Sequence, residues 1–362
     1  MSPIRKVFLF FIILLLIGLF IFSAFKNQMA KNALLADEKI IGQQQRQIAD
    51  LQAAIEELKR PKNGVRYNGQ LYVEGTRLLN HTGDPIQLRG MSSHGIMWFP
   101  EFTNYRAVAS TRDHGANVFR IAMYTDPEKG YASYPEESEK ALYMALENTL
   151  GADMYAIIDW HVLKDEDPNL YVSEAMDFFQ EVSAKYAHEP GVIYEICNEP
   201  NGNTTWEDIK NYAHQVIPII RKNAPNAIIL VGTPNHCTDI EEAADDPLPY
   251  DNILYTYHFY TGYDRGGYRK SLSYALERNI PVFISEWGLS YEENTKSIDY
   301  GKAREFISFL NKNGVGWVNW SLCNKDEEHS AIHSTSESLS GWSEEDLTES
   351  GLFVFEMMAR KE

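Results

Sequence analysis

The sequence predicts an α/β fold in which eight strand–helix units close into a (β/α)8 TIM barrel, preceded by a transmembrane helix and a helical stalk. Three observations carry that prediction. Apolar or alternating runs recur eight times, over residues 86–92, 117–124, 154–161, 192–199, 227–232, 252–260, 281–286 and 315–322. Helix-period patterns lie between them, over 136–150, 170–188, 206–222, 268–278 and 302–311, with 352–359 as the last. Strands alternating with helices require parallel pairing, and eight such units fit a closed barrel. A doubly wound open sheet is the alternative, but no Gly-rich phosphate loop follows the first strand. The third observation is that the runs around Glu199 and Glu286 each end in a glutamate, which sets a carboxylate at the carboxyl end of a strand.

Ahead of the barrel, residues 7–25 carry no charge and follow Arg5 and Lys6. At ~1.5 Å per residue they nearly span a hydrocarbon core of ~30 Å. None of Ala24, Ala30, Ala33 or Ala36 has a small residue two positions upstream, so the stretch reads as an uncleaved signal anchor. The expected placement is the outer face of the cell membrane with the amino terminus cytoplasmic; secretion after cleavage is the alternative. In the next segment Leu34, Ile41, Ile48 and Ile55 stand seven apart, with Leu51 and Leu58 three positions after the last two. Ile at a and Leu at d favour a parallel two-stranded coil, so a homodimer through the stalk is expected, against a lone spacer helix. Gln44 and Gly42 weaken its first half, and Pro61 closes it. The expected domains are therefore an anchor over 1–26, a stalk and linker over 27–62, and the barrel over 63–362.

The formal charge of -18 sits in the body, where residues 61–362 hold 25 Lys+Arg against 46 Asp+Glu. So acidic a body excludes nucleic acid as a partner and suits a neutral ligand. Tyr 21, Phe 17 and Trp 7 make the chain aromatic-rich, which fits stacking on sugar faces as well as ordinary core packing. Cys197, Cys237 and Cys323 are odd in number and lack zinc spacing, so no disulfide framework is expected and Cys197 reads as a buried structural thiol. No cofactor or metal is called for; Asp165-Glu166-Asp167 reads as a solvated loop.

Residues two apart on a strand share a face. On that parity Glu199 aligns with Cys197 and Glu195, Glu286 with Ile284 and Val282, Arg120 with Ala122 and Tyr124, His161 with Asp159, His258 with Thr256 and Tyr260, and Trp320 with Val318. If all face the barrel axis, they form one ring of chemistry at the carboxyl ends of the strands, with Asp159 and Glu195 as deeper, orienting partners.

Residues 64–356 resemble the bacterial endoglucanases of glycoside hydrolase family 5. The resemblance rests on Arg89-Gly90-Met91-Ser92-Ser93-His94-Gly95, Val118-Phe119-Arg120, Ile158-Asp159-Trp160-His161, Asn198-Glu199-Pro200, His258-Phe259-Tyr260, Ser285-Glu286-Trp287-Gly288 and Trp317-Val318-Asn319-Trp320. It implies a retaining hydrolase of internal β-1,4-glucan bonds, with Glu199 as acid/base and Glu286 as nucleophile. It further implies that Asn198 holds a sugar hydroxyl, that Arg120 and Tyr260 orient the nucleophile, that His161 and His258 supply surrounding hydrogen bonds, and that Trp320 is a stacking floor. His94, Trp98, Tyr124, Lys325 and Glu327 match positions lining the glycone side. One departure is Pro234-Asn235-His236-Cys237, where a tryptophan is common. Two close carboxyls resist joint ionisation, so Glu199 is expected to keep its proton while Glu286, beside Arg120, carries charge. Rivals are a mannanase or mixed-linkage glucanase, and a non-catalytic glycan-binding barrel. The segment 324–346 is expected to form a cleft-side loop that brings Lys325 and Glu327 to the sugar.

Overall fold

The computed structural model of the protein describes residues 15–29, 31–32, 41–42, 44–45, 47–48 and 51, and residues 62–360 apart from 265–266 and 292–296. The chain divides into two units, Met1–Pro61 and Lys62–Glu362.

In the first unit residues 15–29 are helical and their large apolar side chains, such as Leu15 and Phe20, are exposed. Among the described residues no helix is long and apolar enough to cross a membrane. The transmembrane expectation for residues 7–25 is therefore unsupported here, and residues 7–14 lie outside the described residues. Of the heptad positions, Ile41, Ile48 and Leu51 are helical and exposed, while Leu34, Ile55 and Leu58 lie outside the described residues.

The second unit is a barrel. A short antiparallel hairpin, β1 (Tyr72–Glu74) and β2 (Arg77–Leu79), comes first. Eight parallel strands follow: β3 (Arg89–Ser93), β4 (Val118–Tyr124), β5 (Tyr155–His161), β6 (Val192–Glu195), β7 (Ile228–Val231), β8 (Ile253–Tyr260), β9 (Val282–Gly288) and β10 (Gly316–Leu322). They pair in chain order and β10 closes on β3. Full closure leaves no sheet edge, and both faces of each strand are covered, which is why the strands read as near-continuous apolar runs.

Helices fall where the sequence period of 3.6 places them, at Pro135–Gly151, Val172–Lys185, Trp206–Asn223, Tyr268–Glu277, Tyr300–Asn313 and Glu349–Ala359. Trp206–Asn223 shows the local logic. Ile209, Tyr212, Ala213, Val216, Ile217 and Ile220 form its buried stripe, and Thr205 and Asp208 close a capping box at its start. The helix Tyr105–Asp113, capped by the Asn104 side chain, escaped the periodicity reading because its apolar content is low.

Two apolar layers result. One fills the space between strands and helices. The other plugs the barrel interior, where Val118, Tyr155, Ile157, Ile193, Leu254, Phe283 and Val318 meet Val65, Leu71 and Leu78 from the hairpin region. That plug sits beneath the amino-terminal halves of the strands, so the carboxyl ends remain for polar side chains.

Strand parity holds on most strands and fails on two. On β9 the interior residue is Phe283, while Val282 and Ile284 face the helices, opposite to the expected set. An irregularity against β8, where Thr256 pairs with Phe283 but His258 pairs with Glu286, inserts one extra residue and turns Glu286 inward. On β6 the strand ends at Glu195, four residues short of Glu199, and Cys197 lies in the outer apolar layer. Glu199 thus reaches the cleft from a loop.

Candidate active site

Arg120, on β4, is the organising group. Its side chain is fully buried, and its guanidinium meets Glu195 Oε2 at 2.6 Å, Asp159 Oδ2 at 3.0 Å, Glu286 Oε2 at 3.2 Å and Asn198 Oδ1 at 2.6 Å. A buried cation is tolerable only when its donors are answered, and here β5, β6, β9 and the loop after β6 each answer one. Burial pushes Asp159 up to about 7 and raises Glu195 as well, in both cases against the pull of Arg120. Asp159 and Glu195 are the deep orienting partners that strand parity suggests. They fix the fork that Arg120 presents to Glu286.

Glu286 receives a second hydrogen bond, from the Tyr260 hydroxyl to Oε1 at 2.6 Å. Burial and the nearby Glu286 raise Tyr260 well above the usual phenol range, so it stays a donor. Both oxygens of Glu286 are therefore held by donors, which fixes its rotamer.

Glu199 is held differently. Oε1 lies 2.6 Å from His258 Nδ1, and Oε2 lies 3.0 Å from His236 Nδ1. His258 Nε2 lies 3.0 Å from Ser285 Oγ. Burial would raise Glu199, but the hydrogen bonds from His236 and His258 outweigh it and the net direction is down. His258, lowered by burial, and His236, raised chiefly by its bond to Glu199, both end above the ordinary imidazole value. That direction runs against the expectation that the carboxyl itself retains the proton at rest. Glu199, His258 and His236 lie within hydrogen-bonding distance of one another's polar atoms through the carboxylate, so the three titrate together.

A carboxylate oxygen of Glu199 and one of Glu286 lie within 4.8 Å of each other. Around this pair, His161 Nδ1 meets Asp159 Oδ2 at 2.6 Å, and burial with Arg120 nearby lowers His161 to about 4. His161 is thus neutral. Its ring stacks on Trp320, centroids 5.3 Å apart, and lies 4.1 Å from that of Tyr124. Trp98 packs edge-on to Tyr124 at 4.9 Å, and His94 lies 5.1 Å from Trp320. Lys325 Nζ approaches His94 Nε2 at 3.4 Å and Glu327 at 2.6 Å, so the loop after β10 folds back to this wall. The residues proposed from the sequence are linked by these contacts into one continuous network at the carboxyl ends of the strands. The His236 contact has no sign in the sequence beyond the departure at 234–237.

The family model for cellulase (glycosyl hydrolase family 5) matches residues 79–326. An endoglucanase of Clostridium saccharobutylicum is 44% identical over 290 residues, covering 80% of this chain and 64% of that protein. The chain thus spans a little under two thirds of that relative's length. Endoglucanase A of Butyrivibrio fibrisolvens is 43% identical over 302 residues, covering 82% of this chain and 70% of its own. Among solved structures, the catalytic domain of Thermobifida fusca endoglucanase Cel5A in complex with cellotetraose superposes with a TM-score of 0.77 at 31% identity, covering 82% of this chain and 99% of that one.

Proposed function

This chain belongs to the cellulase family, glycosyl hydrolase family 5, and from that premise we propose that it is a retaining endo-β-1,4-glucanase. The observation that carries the reading is the asymmetry of two carboxyls within 4.8 Å: Glu286 held by Arg120 and Tyr260, Glu199 by two imidazoles. One is gripped by a cation and a hydroxyl, the other by two imidazoles that can relay a proton, and such unlike surroundings suit the division of labour glycoside cleavage requires.

In the first step a Glu286 oxygen attacks the anomeric carbon, the bond to the departing sugar oxygen breaks, and the proton held at Glu199 passes to that oxygen. In the second, water attacks the same carbon, Glu199 takes the water's proton, and the ester to Glu286 breaks. Charge on the sugar ring peaks between these states, and the Glu286 carboxylate lies where it stabilises that charge. Asn198 is fixed by Arg120 at its side-chain oxygen and donates its amide nitrogen to Val162 O, and Trp320, His94 and Trp98 offer stacking and hydrogen-bonding surface on the glycone side.

The short separation supports retention. Retaining pairs stand roughly 5 to 5.5 Å apart, whereas inverting pairs need about 6.5 to 9.5 Å to admit water. Proton NMR of the first-formed products is expected to show the β-anomer, and an initial α-anomer would overturn the mechanism. Initial rates on carboxymethylcellulose, mannan, xyloglucan and mixed-linkage glucan identify the preferred chain; a preference for mannan would replace the substrate while leaving the chemistry.

Membrane attachment is part of the same reading. Its support is the uncharged stretch 7–25 behind Arg5 and Lys6. On expression in bacteria the full chain is expected in the membrane fraction, resistant to high salt and released by detergent, with activity accessible on intact cells. Recovery in the soluble medium would favour secretion. Dimerisation through the stalk is tested by cysteine at Ile48 against cysteine at Gln45, of which only the first should crosslink.

A further inference from the structure

The turn that follows β7 carries three consecutive residues in the left-handed region, Asn235, His236 and Cys237, at φ 55, 56 and 58. None is glycine, so each conformation is strained and persists only because something outside the turn holds it. What holds it is the segment that bears Glu199. The His236 amide donates to Pro200 O at 3.1 Å, the Cys237 thiol to Asn198 O at 2.9 Å, and the His236 ring meets Glu199 Oε2. Strain here delivers one imidazole to one carboxylate oxygen.

The two histidines on Glu199 are not equivalent. His258 is buried, with its second nitrogen engaged by Ser285. His236 has a side chain 52% exposed, and it lines a cavity of about 750 Å³ with Tyr257, Tyr260, Tyr263 and Asp264. We infer that His236 is a positioning residue acting through Glu199, a second proton-holding imidazole that keeps the acid armed as the medium turns alkaline. The inference rests on Glu199 being the acid/base.

Its physical basis is the coupling of three sites that share one proton. Hydrolysis fails when the cluster as a whole loses that proton, and each additional basic site stabilises the protonated cluster, so its loss moves to higher pH. The charged groups acting on His236 reinforce this. Glu199 is in contact, and Glu286 and Glu166 stand farther off, all three favouring the imidazolium. His258 is the competing base on Glu199, and Asp264 is the other carboxylate on the cavity wall.

The test compares the alkaline limb of kcat/KM for the full chain, His236→Gln and His236→Ala on a soluble cellulose derivative, whose sugar leaving group requires an acid. Both variants are expected to lose activity at lower pH, the limb moving down by about half a unit or more. His236→Gln should hold its plateau rate closer to the parent than His236→Ala, because an amide still donates to Glu199 but cannot carry the proton. On 2,4-dinitrophenyl cellobioside, whose dinitrophenolate departs without a proton, the three limbs should coincide for the glycosylation step. Superposed limbs on the polymer, or a limb for His236→Gln matching the parent, would overturn the inference. An independent measurement is the ring titration of His236 by NMR, whose midpoint should fall in Glu199→Gln; an unmoved midpoint overturns it without reference to activity. If Glu199→Ala still hydrolyses polymer normally, the acid/base reading falls first. If that variant fails as expected while the His236 limbs coincide, only the role of His236 falls.

Discussion

Glu286→Gln is expected to reduce hydrolysis of every glucan substrate by about 10⁴-fold or more, while binding of cello-oligosaccharides stays within a few-fold of the parent. The substitution keeps the shape of the side chain, and the amide oxygen can still accept from Arg120 or Tyr260, the two donors that hold the carboxylate. What it removes is the anion that must attack the sugar. The stacking surfaces of Trp320 and Trp98 are untouched, so binding measured by calorimetry reports a loss specific to chemistry. The interior should tolerate the change, because Arg120 retains Asp159 and Glu195 at 3.0 and 2.6 Å. Turnover within tenfold of the parent would remove Glu286 from the nucleophile's role.

Glu199→Ala is expected to show a different signature, one that depends on the leaving group. On polymer, where the departing sugar needs a proton, activity should fall by about 10² to 10⁴-fold. On 2,4-dinitrophenyl cellobioside the first step needs no acid, so a burst of dinitrophenolate should appear. The second step then lacks its base, and a glycosyl-enzyme on Glu286 should accumulate, visible by intact mass. Equal losses on both substrates, with no adduct, would show that the roles of the two glutamates are wrongly divided. Emptying this position also frees His258 and His236 from the carboxylate they share, so the His236 titration should move in this variant as well.

Both results turn on residues the sequence already singled out, and the reasons differ from element to element. Strands such as Tyr155–His161 were legible because a strand buried on both faces must be apolar throughout, and a polar ending such as Asp159-Trp160-His161 then marks where it opens to the cleft. The helix Trp206–Asn223 was legible within a residue because its cap and its stripe are local in sequence. The hairpin Tyr72–Leu79 was not, since three-residue strands carry too few positions to set a period, and it is held by packing against the barrel's floor.

The sequence by itself determined the alternation of eight strands with helices and, through its motifs, the family to which the chain belongs and the side chains of its candidate site. The alternation follows from local propensity and from the period of burial, which any stretch of chain reveals on its own, while the family and the site side chains rest on the resemblance of the motifs. Tertiary structure decided the rest. The extra residue on β9 that turns Glu286 inward is a register fact, set by how β9 fits β8. The end of β6 at Glu195 and the loop that lifts Glu199 to the cleft depend on neighbouring strands ceasing to pair. The pairing of Glu199 with His236 was also decided there, because His236 comes from a turn 37 residues beyond Glu199 and reaches it only once the strands have closed. Coupling between titrating groups depends on ångströms of separation in space, and distance along the chain carries no record of it.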